Sequence, residues 1–256
     1  MRAEGPRQGA LRLLGGASRS DARGGPASAA SAVAPRRTLD AAVVLFDLDG
    51  TLADTAGDLA GAVNRMRDER GLAPVALERL RPHASAGARG LLGAGMGVSP
   101  DHADYGELRD EFLANYAAAL ANTTRLFDGV DDVLSTLEAR GLRWGVVTNK
   151  AERFTRPVLA ALGIEARAAV IVSGDTTPHP KPNPAPLLHA ATALGVAPQH
   201  CVYVGDDLRD VQAGNAAGMN TIVAAYGYLG ESGDCRGWPA TGWIAAPGEL
   251  LAWLRG

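Results

Sequence analysis

The stretch VVLFDLDGTLADT, Val43 to Thr55, decides the fold. Four apolar residues, Val43, Val44, Leu45 and Phe46, run without alternation, which reads as a strand buried on both faces of a parallel sheet. Two carboxylates, Asp47 and Asp49, then break the pattern two residues apart. An ionised carboxylate at the end of a buried strand is expensive to desolvate unless a cation or several hydrogen bonds receive it. The chain must therefore place compensating groups at this strand end.

Working outward, DTAGDLAGAVNRMRDERGL places Leu59, Val63 and Met66 at helical spacing, with Gly71 as a left-handed stop. Short apolar pieces broken by Pro82 and several glycines follow, then ELRDEFLANYAAALA, a longer helix with Leu108, Phe112, Tyr116 and Leu120 on one face. No strand pattern occurs between Thr55 and Leu126, so residues 56–125 read as an all-helical insertion. From Phe127 the rhythm is helix and strand in alternation. LRWGVVTN, AAVIVSGD, CVYVGDD and NTIVAAYGY read as strands, the last of them closing the sheet, with helices between them. The fold class expected is α/β: a Rossmann-like parallel sheet with helices on both faces, formed by residues 41–55 and 126–256, plus the inserted helical cap. Residues 1–40, rich in Gly, Ala, Ser, Pro and Arg, lack apolar periodicity and are expected to be disordered.

Charge narrows the function. The net charge of −3 conceals seven arginines against three acidic residues in positions 1–40, which leaves the remainder at about −7. A nucleic-acid partner is not expected of so acidic a body. No apolar run approaches bilayer-spanning length, and a cytoplasmic protein without a membrane partner, monomeric or homodimeric, is expected. Cys201 and Cys235 have no CxxC pairing, which argues against a disulfide framework or a zinc site.

In parallel α/β sheets ligands collect beyond the carboxyl ends of the strands. Those ends carry FDLDGT, VVTNK and GDD, and the loop HPKPNP fixes Lys181 between prolines. Carboxylate and carbonyl oxygens suit Mg²⁺, and carboxylates plus a lysine around that ion make a site for a phosphate dianion. Asp47 then acts as the nucleophile that accepts the phosphoryl group, and Asp49 as the acid and base for the leaving oxygen and for water. Gly50 turns the backbone close to the phosphate, and the Thr148 hydroxyl helps to hold the transferring oxygens.

DLDGT (47–51), VVTN (146–149), Lys181 in KPNP and GDDLRD (205–210) resemble, in order, the four motifs of the haloacid-dehalogenase-like hydrolases. The resemblance covers the chain from about Val43 onward. It implies a Mg²⁺-dependent phosphatase with a helical cap inserted after the first motif. It makes Asp47, the Asp49 backbone carbonyl and Asp206 the metal ligands, sets Asp210 and Asp207 behind them, and gives Thr148, Asn149 and Lys181 the phosphate. WGVVTNK, Arg153-Phe154, SGDTTPHPKP and YGYLG are similar to the phosphoglycolate phosphatase branch and to a sister group acting on N-acetylmuramate 6-phosphate. The substrate implied is a small phosphorylated acid, 2-phosphoglycolate first and N-acetylmuramate 6-phosphate as the alternative. A sugar phosphomutase and a phospho-accepting receiver domain are the other readings. HASAGARGLL (83–92) stands where the cap reads the substrate, with Arg89 either a clamp for its carboxylate or an ordinary surface arginine.

Overall fold

A computed structural model describes residues 38–231 and 233–255. The expected disordered extension lies outside the described residues except for its last three. Of these, Leu39 is buried, bridges to Leu254 and donates its N–H to the Trp253 carbonyl at 2.6 Å. The core therefore begins before residue 41, because an apolar side chain there completes the C-terminal packing.

The chain runs through β1 (Val43–Phe46), β2 (Ala53–Asp54), α1 (Ala56–Asp68), α2 (Leu77–Leu80), α3 (Gly87–Met96) and α4 (Tyr105–Ala118). It continues with β3 (Arg125–Leu126), α5 (Val130–Ala139), β4 (Arg143–Val147), α6 (Glu152–Ala161), β5 (Ile171–Val172) and α7 (Ala185–Leu194), and closes with β6 (Cys201–Gly205), α8 (Leu208–Ala216), β7 (Asn220–Ala224) and β8 (Gly242–Ile244). Six strands form one parallel sheet in the order β5-β4-β1-β6-β7-β8. All four residues of β1 are buried, as an unalternating apolar run at a sheet centre requires. Apolar clusters cover both faces, one around Leu134, Trp144 and Val204 and the other around Leu45, Leu187 and Tyr203.

Register sets up the site. Phe46 lies opposite Val146 on one side and Val204 on the other. Asp47, Thr148 and Asp206 therefore follow directly on strands that end together. The order also reverses here: β1 leads out to β4 on one side while β6 flanks it on the other, the place where α/β sheets open a crevice.

Helices α1 to α4 leave the sheet through β2 and return through β3. These two short strands pair antiparallel, Ala53 opposite Leu126 and Asp54 opposite Arg125. The insertion holds a core of its own around Leu59, Val63, Met66, Leu91 and Phe112, which also takes in Phe154 and Tyr228 from the sheet-bearing part. Helix α1 buries Leu59, Val63 and Met66 as the spacing requires, and Gly71 adopts φ +66°. One strand departs from the sequence reading: NTIVAAYGY is followed by β8, a further edge strand of three residues.

Candidate active site

The turn after β1 is built by Gly50. Its φ is +85°, and its N–H donates to the Ala53 carbonyl at 2.9 Å. A Cβ there would sit 2.1 Å from Asp206 Oδ2, so only glycine lets the turn approach β6 this closely. Gly227 faces the same carboxylate, where a Cβ would lie 2.3 Å from the Asp206 Cβ.

Asp47, Asp206 and Asp210 each present a carboxylate oxygen within 4.8 Å of the others. All three are buried. Lys181, itself only 4% exposed, inserts its ammonium among them. Its Nζ lies 3.0 Å from Asp47 Oδ1 and donates to Asp210 Oδ1 and the Tyr203 hydroxyl at 2.8 Å each and to the Val147 carbonyl at 3.1 Å. One ammonium paired with two of three gathered carboxylates leaves an excess of negative charge. Burial, outweighing the pull of Lys181, together with repulsion from Asp210 and Asp49, lifts the Asp47 carboxyl to about 6. Burial, with Asp47 and Asp210 beside it, pushes Asp206 well above the usual carboxylate range. Hard oxygen donors, buried and short of positive charge, fit a divalent cation such as Mg²⁺.

The oxygens are not equivalent. Asp47 Oδ1 accepts from the Leu48 N–H at 2.7 Å and faces Lys181, whereas Oδ2 has no hydrogen-bond donor among the described residues. Asp206 accepts from the Thr51 hydroxyl at 2.9 Å, the Tyr228 N–H at 2.9 Å and the Ser85 hydroxyl at 3.1 Å. Asp210 turns Oδ2 back to the Asp207 N–H at 3.0 Å and closes the capping box that starts α8.

Asp49 stands apart from this cluster. Its Oδ1 accepts from Thr55 Oγ1 at 2.6 Å and from Lys150 Nζ at 2.9 Å. Its side chain is thus not among the gathered carboxylates, and only its backbone carbonyl is left to serve a metal. Lys150, whose side chain is 7% exposed, has its ammonium 4.7 Å from the centre of the Tyr116 ring and was missed in the sequence reading. Its desolvation is outweighed by Asp49, and the ammonium is held firmly charged. Its signal was available: VVTNK puts it two residues past the Thr148 strand end.

A cavity of about 260 Å³ opens over Asp47 and Asp49. Thr148 and Asn149 line it from β4's end, residues 84–88 from the insertion, and Phe112 and Tyr116 from α4. The Asn149 side chain clamps the Lys181 loop, donating to the Lys181 carbonyl and accepting its N–H at 2.9 Å each. Arg89 is exposed and does not line the cavity. Helix α3 turns Gly87 and Ala88 inward, which carries the next residue to the outer face. The cavity's arginines are Arg153 and Arg209 instead. Arg209 grips Asp207 at 2.8 Å and donates to the Ser85 carbonyl at 2.8 Å, tying the inserted helices to α8.

The model of the haloacid dehalogenase-like hydrolase family matches residues 44–224, the span that carries every residue of this site except Gly227 and the Tyr228 N–H. The chain belongs to the haloacid dehalogenase-like hydrolases. It is 45% identical over 207 residues to a phosphoglycolate phosphatase of Xanthomonas campestris, covering 81% of this chain and 93% of that one. It is 41% identical over 208 residues to an N-acetylmuramic acid 6-phosphate phosphatase of Pseudomonas aeruginosa, covering 81% and 92%. Among solved structures, a predicted phosphoglycolate phosphatase from Haemophilus somnus superposes with a TM-score of 0.66 at 27% identity, over 74% of this chain and 87% of that one. Among the described residues no helix is long and apolar enough to cross a membrane.

Proposed function

We propose that this hydrolase removes the phosphoryl group from small phosphorylated acids through an intermediate on Asp47. The supporting observation is the carboxylate at the end of β1, with one oxygen pinned by Leu48 and Lys181, the other without a donor among the described residues, and two further carboxylates gathered around the side chain. Asp47 Oδ2 attacks phosphorus and the ester P–O bond breaks. The leaving oxygen takes its proton from Asp49, and Asp49 then accepts a proton from the water that attacks the aspartyl phosphate. Lys150 and Thr55 fix the orientation of Asp49 for both steps. Lys181 and the Thr148 hydroxyl receive the charge on the phosphoryl oxygens.

Asp47, Asp206 and the Asp49 carbonyl would hold Mg²⁺, with Asp210 anchoring Lys181. Bound there, the ion neutralises part of the charge on the transferring group. Residues 56–125 serve as the cap that shields the reaction from water, hinged at the β2–β3 ribbon. The names of the relatives put 2-phosphoglycolate first among substrates and N-acetylmuramate 6-phosphate second. The enzyme works in the cytoplasm as a monomer or homodimer, without nucleic acid or membrane.

Phosphate release from a panel of esters, with Mg²⁺ and then with a chelator, tests this. Turnover that stops on chelation, and an Asp206→Ala variant that needs much more Mg²⁺, are expected. Turnover indifferent to the chelator would overturn the metal assignment.

A further inference from the structure

The cavity over Asp47 does not end at the wall of the insertion. Leu113, Arg153 and Phe154 line it, and the same three line a groove of about 640 Å³ between α4 and α6. The two spaces meet at these side chains. Together they reach the range of sites built for sugar- or cofactor-sized ligands, roughly 300–1,000 Å³. The phosphate end is fixed by the chemistry at Asp47, so the groove past Leu113 offers room for the rest of a longer ester.

Two recognition groups along that path are unspent. Tyr116 lines the cavity and is 1% exposed; its buried hydroxyl has no well-formed hydrogen bond among the described residues, and the neighbouring Lys150 ammonium, already held by Asp49, is the one group that interacts with it there. A buried hydroxyl left unpaired is destabilising, and a substrate hydroxyl or amide would satisfy it. The second group is Arg153. Every other cation lining the two spaces has its carboxylate: Lys150 has Asp49, Arg209 has Asp207 and Arg109 has Asp110. Arg153 has none among the described residues. Its guanidinium stacks on the Phe154 ring with 4.7 Å to the centroid, at the junction of the two spaces. Stacking pre-orders the planar donor set that grips a carboxylate with two hydrogen bonds.

We propose that the groove between α4 and α6 is a subsite for the distal part of a hexose-sized phosphate ester, with Arg153 as the specificity-determining residue that binds a carboxylate remote from the phosphate. This rests on the phosphatase reading, because the phosphate must sit at Asp47. It deepens that reading by assigning the groove and the residue that favour the larger of the acids: the body is about six carbons long, hydroxylated where it passes Tyr116 and anionic at its far end.

The test compares three esters: 6-phosphogluconate, glucose 6-phosphate, which matches it in length but lacks the carboxylate, and 2-phosphoglycolate. The wild-type enzyme is expected to favour 6-phosphogluconate over glucose 6-phosphate by about tenfold in kcat/KM, the effect of one partly solvated charged hydrogen-bond pair. Arg153→Ala should collapse that ratio toward one, chiefly through KM, and Arg153→Lys should restore part of it. Leu113→Trp, which narrows the junction, should lower kcat/KM for both hexose esters more than for 2-phosphoglycolate. A wild-type ratio near one, or a ratio that Arg153→Ala leaves unchanged, would overturn the subsite. Calorimetric binding of the same esters to Asp47→Asn separates the two claims. Carboxylate-selective binding lost on adding Arg153→Ala, in a protein whose wild type releases no phosphate, would sink the phosphatase reading and keep the subsite. Phosphate release without that selectivity would do the reverse.

Discussion

Replacing Lys181 by Met keeps most of the stem's volume and removes the ammonium that stands between Asp47 and Asp210. In the folded protein this charge meets two carboxylates at 3.0 and 2.8 Å. It also meets a phenol at 2.8 Å and a carbonyl at 3.1 Å. Breaking a buried ion pair by removing one partner destabilises by roughly 3–5 kcal/mol, because the other charge stays behind without compensation. That is a large fraction of the ~5–15 kcal/mol that holds a domain folded. Removing an opposing carboxylate as well should relieve the excess. Lys181→Met combined with Asp210→Asn is therefore expected to lose less than the two single variants summed, by about 1 kcal/mol or more. The assay is urea denaturation at neutral pH with a chelator present, so that no divalent ion substitutes for the ammonium. Acid should shrink the Lys181→Met deficit: Asp47 already titrates near 6, and without the ammonium it takes up a proton more readily still. A deficit below about 1 kcal/mol, or additive losses in the double variant, would refute this reasoning, since contacting buried charges must couple.

Two further outcomes concern the turn and the hinge. Gly50→Ala places a methyl 2.1 Å from Asp206 Oδ2 at φ +85°. It should lower both stability, by about 1–3 kcal/mol, and turnover; thermal melting and phosphate release check this. Arg81 donates to both oxygens of Asp54 at 2.9 and 3.0 Å, and burial, which alone would raise Asp54, is outweighed so that its carboxyl is held below the usual range. The pairing therefore stabilises above the ordinary aspartate value and fades as pH falls through the depressed one. With Arg81 partly solvated, Arg81→Ala should lose only about 1 kcal/mol near pH 7 and less near pH 3, measured by denaturation at both.

Much of this arrangement was legible in the sequence because it is local. An apolar run followed by DLDGT fixes β1 and the turn after it, and the strand ends VVTN and CVYVGDD name Thr148 and Asp206. Two kinds of feature were not. Strands β2, β3 and β8 have two or three residues each, too few to show a period of two. Their pairing depends on the sheet already being in place. Side-chain direction in the insertion was equally hidden: HASAGARGLL gives no sign that residues 84–88 face the cavity while Arg89 faces away. For the same reason Arg89 was read as the candidate clamp, while Arg153, on another segment, entered only as part of the resemblance. Asp49 shows the limit from the other side. The sequence reading gave the metal its backbone carbonyl and kept its carboxylate for acid–base work, but nothing in the local sequence shows the long-range pair with Lys150 that holds that carboxylate.

The most direct measurement is to stop the reaction with acid within the first turnover and weigh the peptide that contains residues 43–55. A phosphoryl group on Asp47, absent when Asp47→Asn is treated identically, is the result expected. A substrate consumed at full rate with no phosphoryl group on that peptide, or an Asp47→Asn variant that still releases phosphate, would contradict covalent transfer to Asp47.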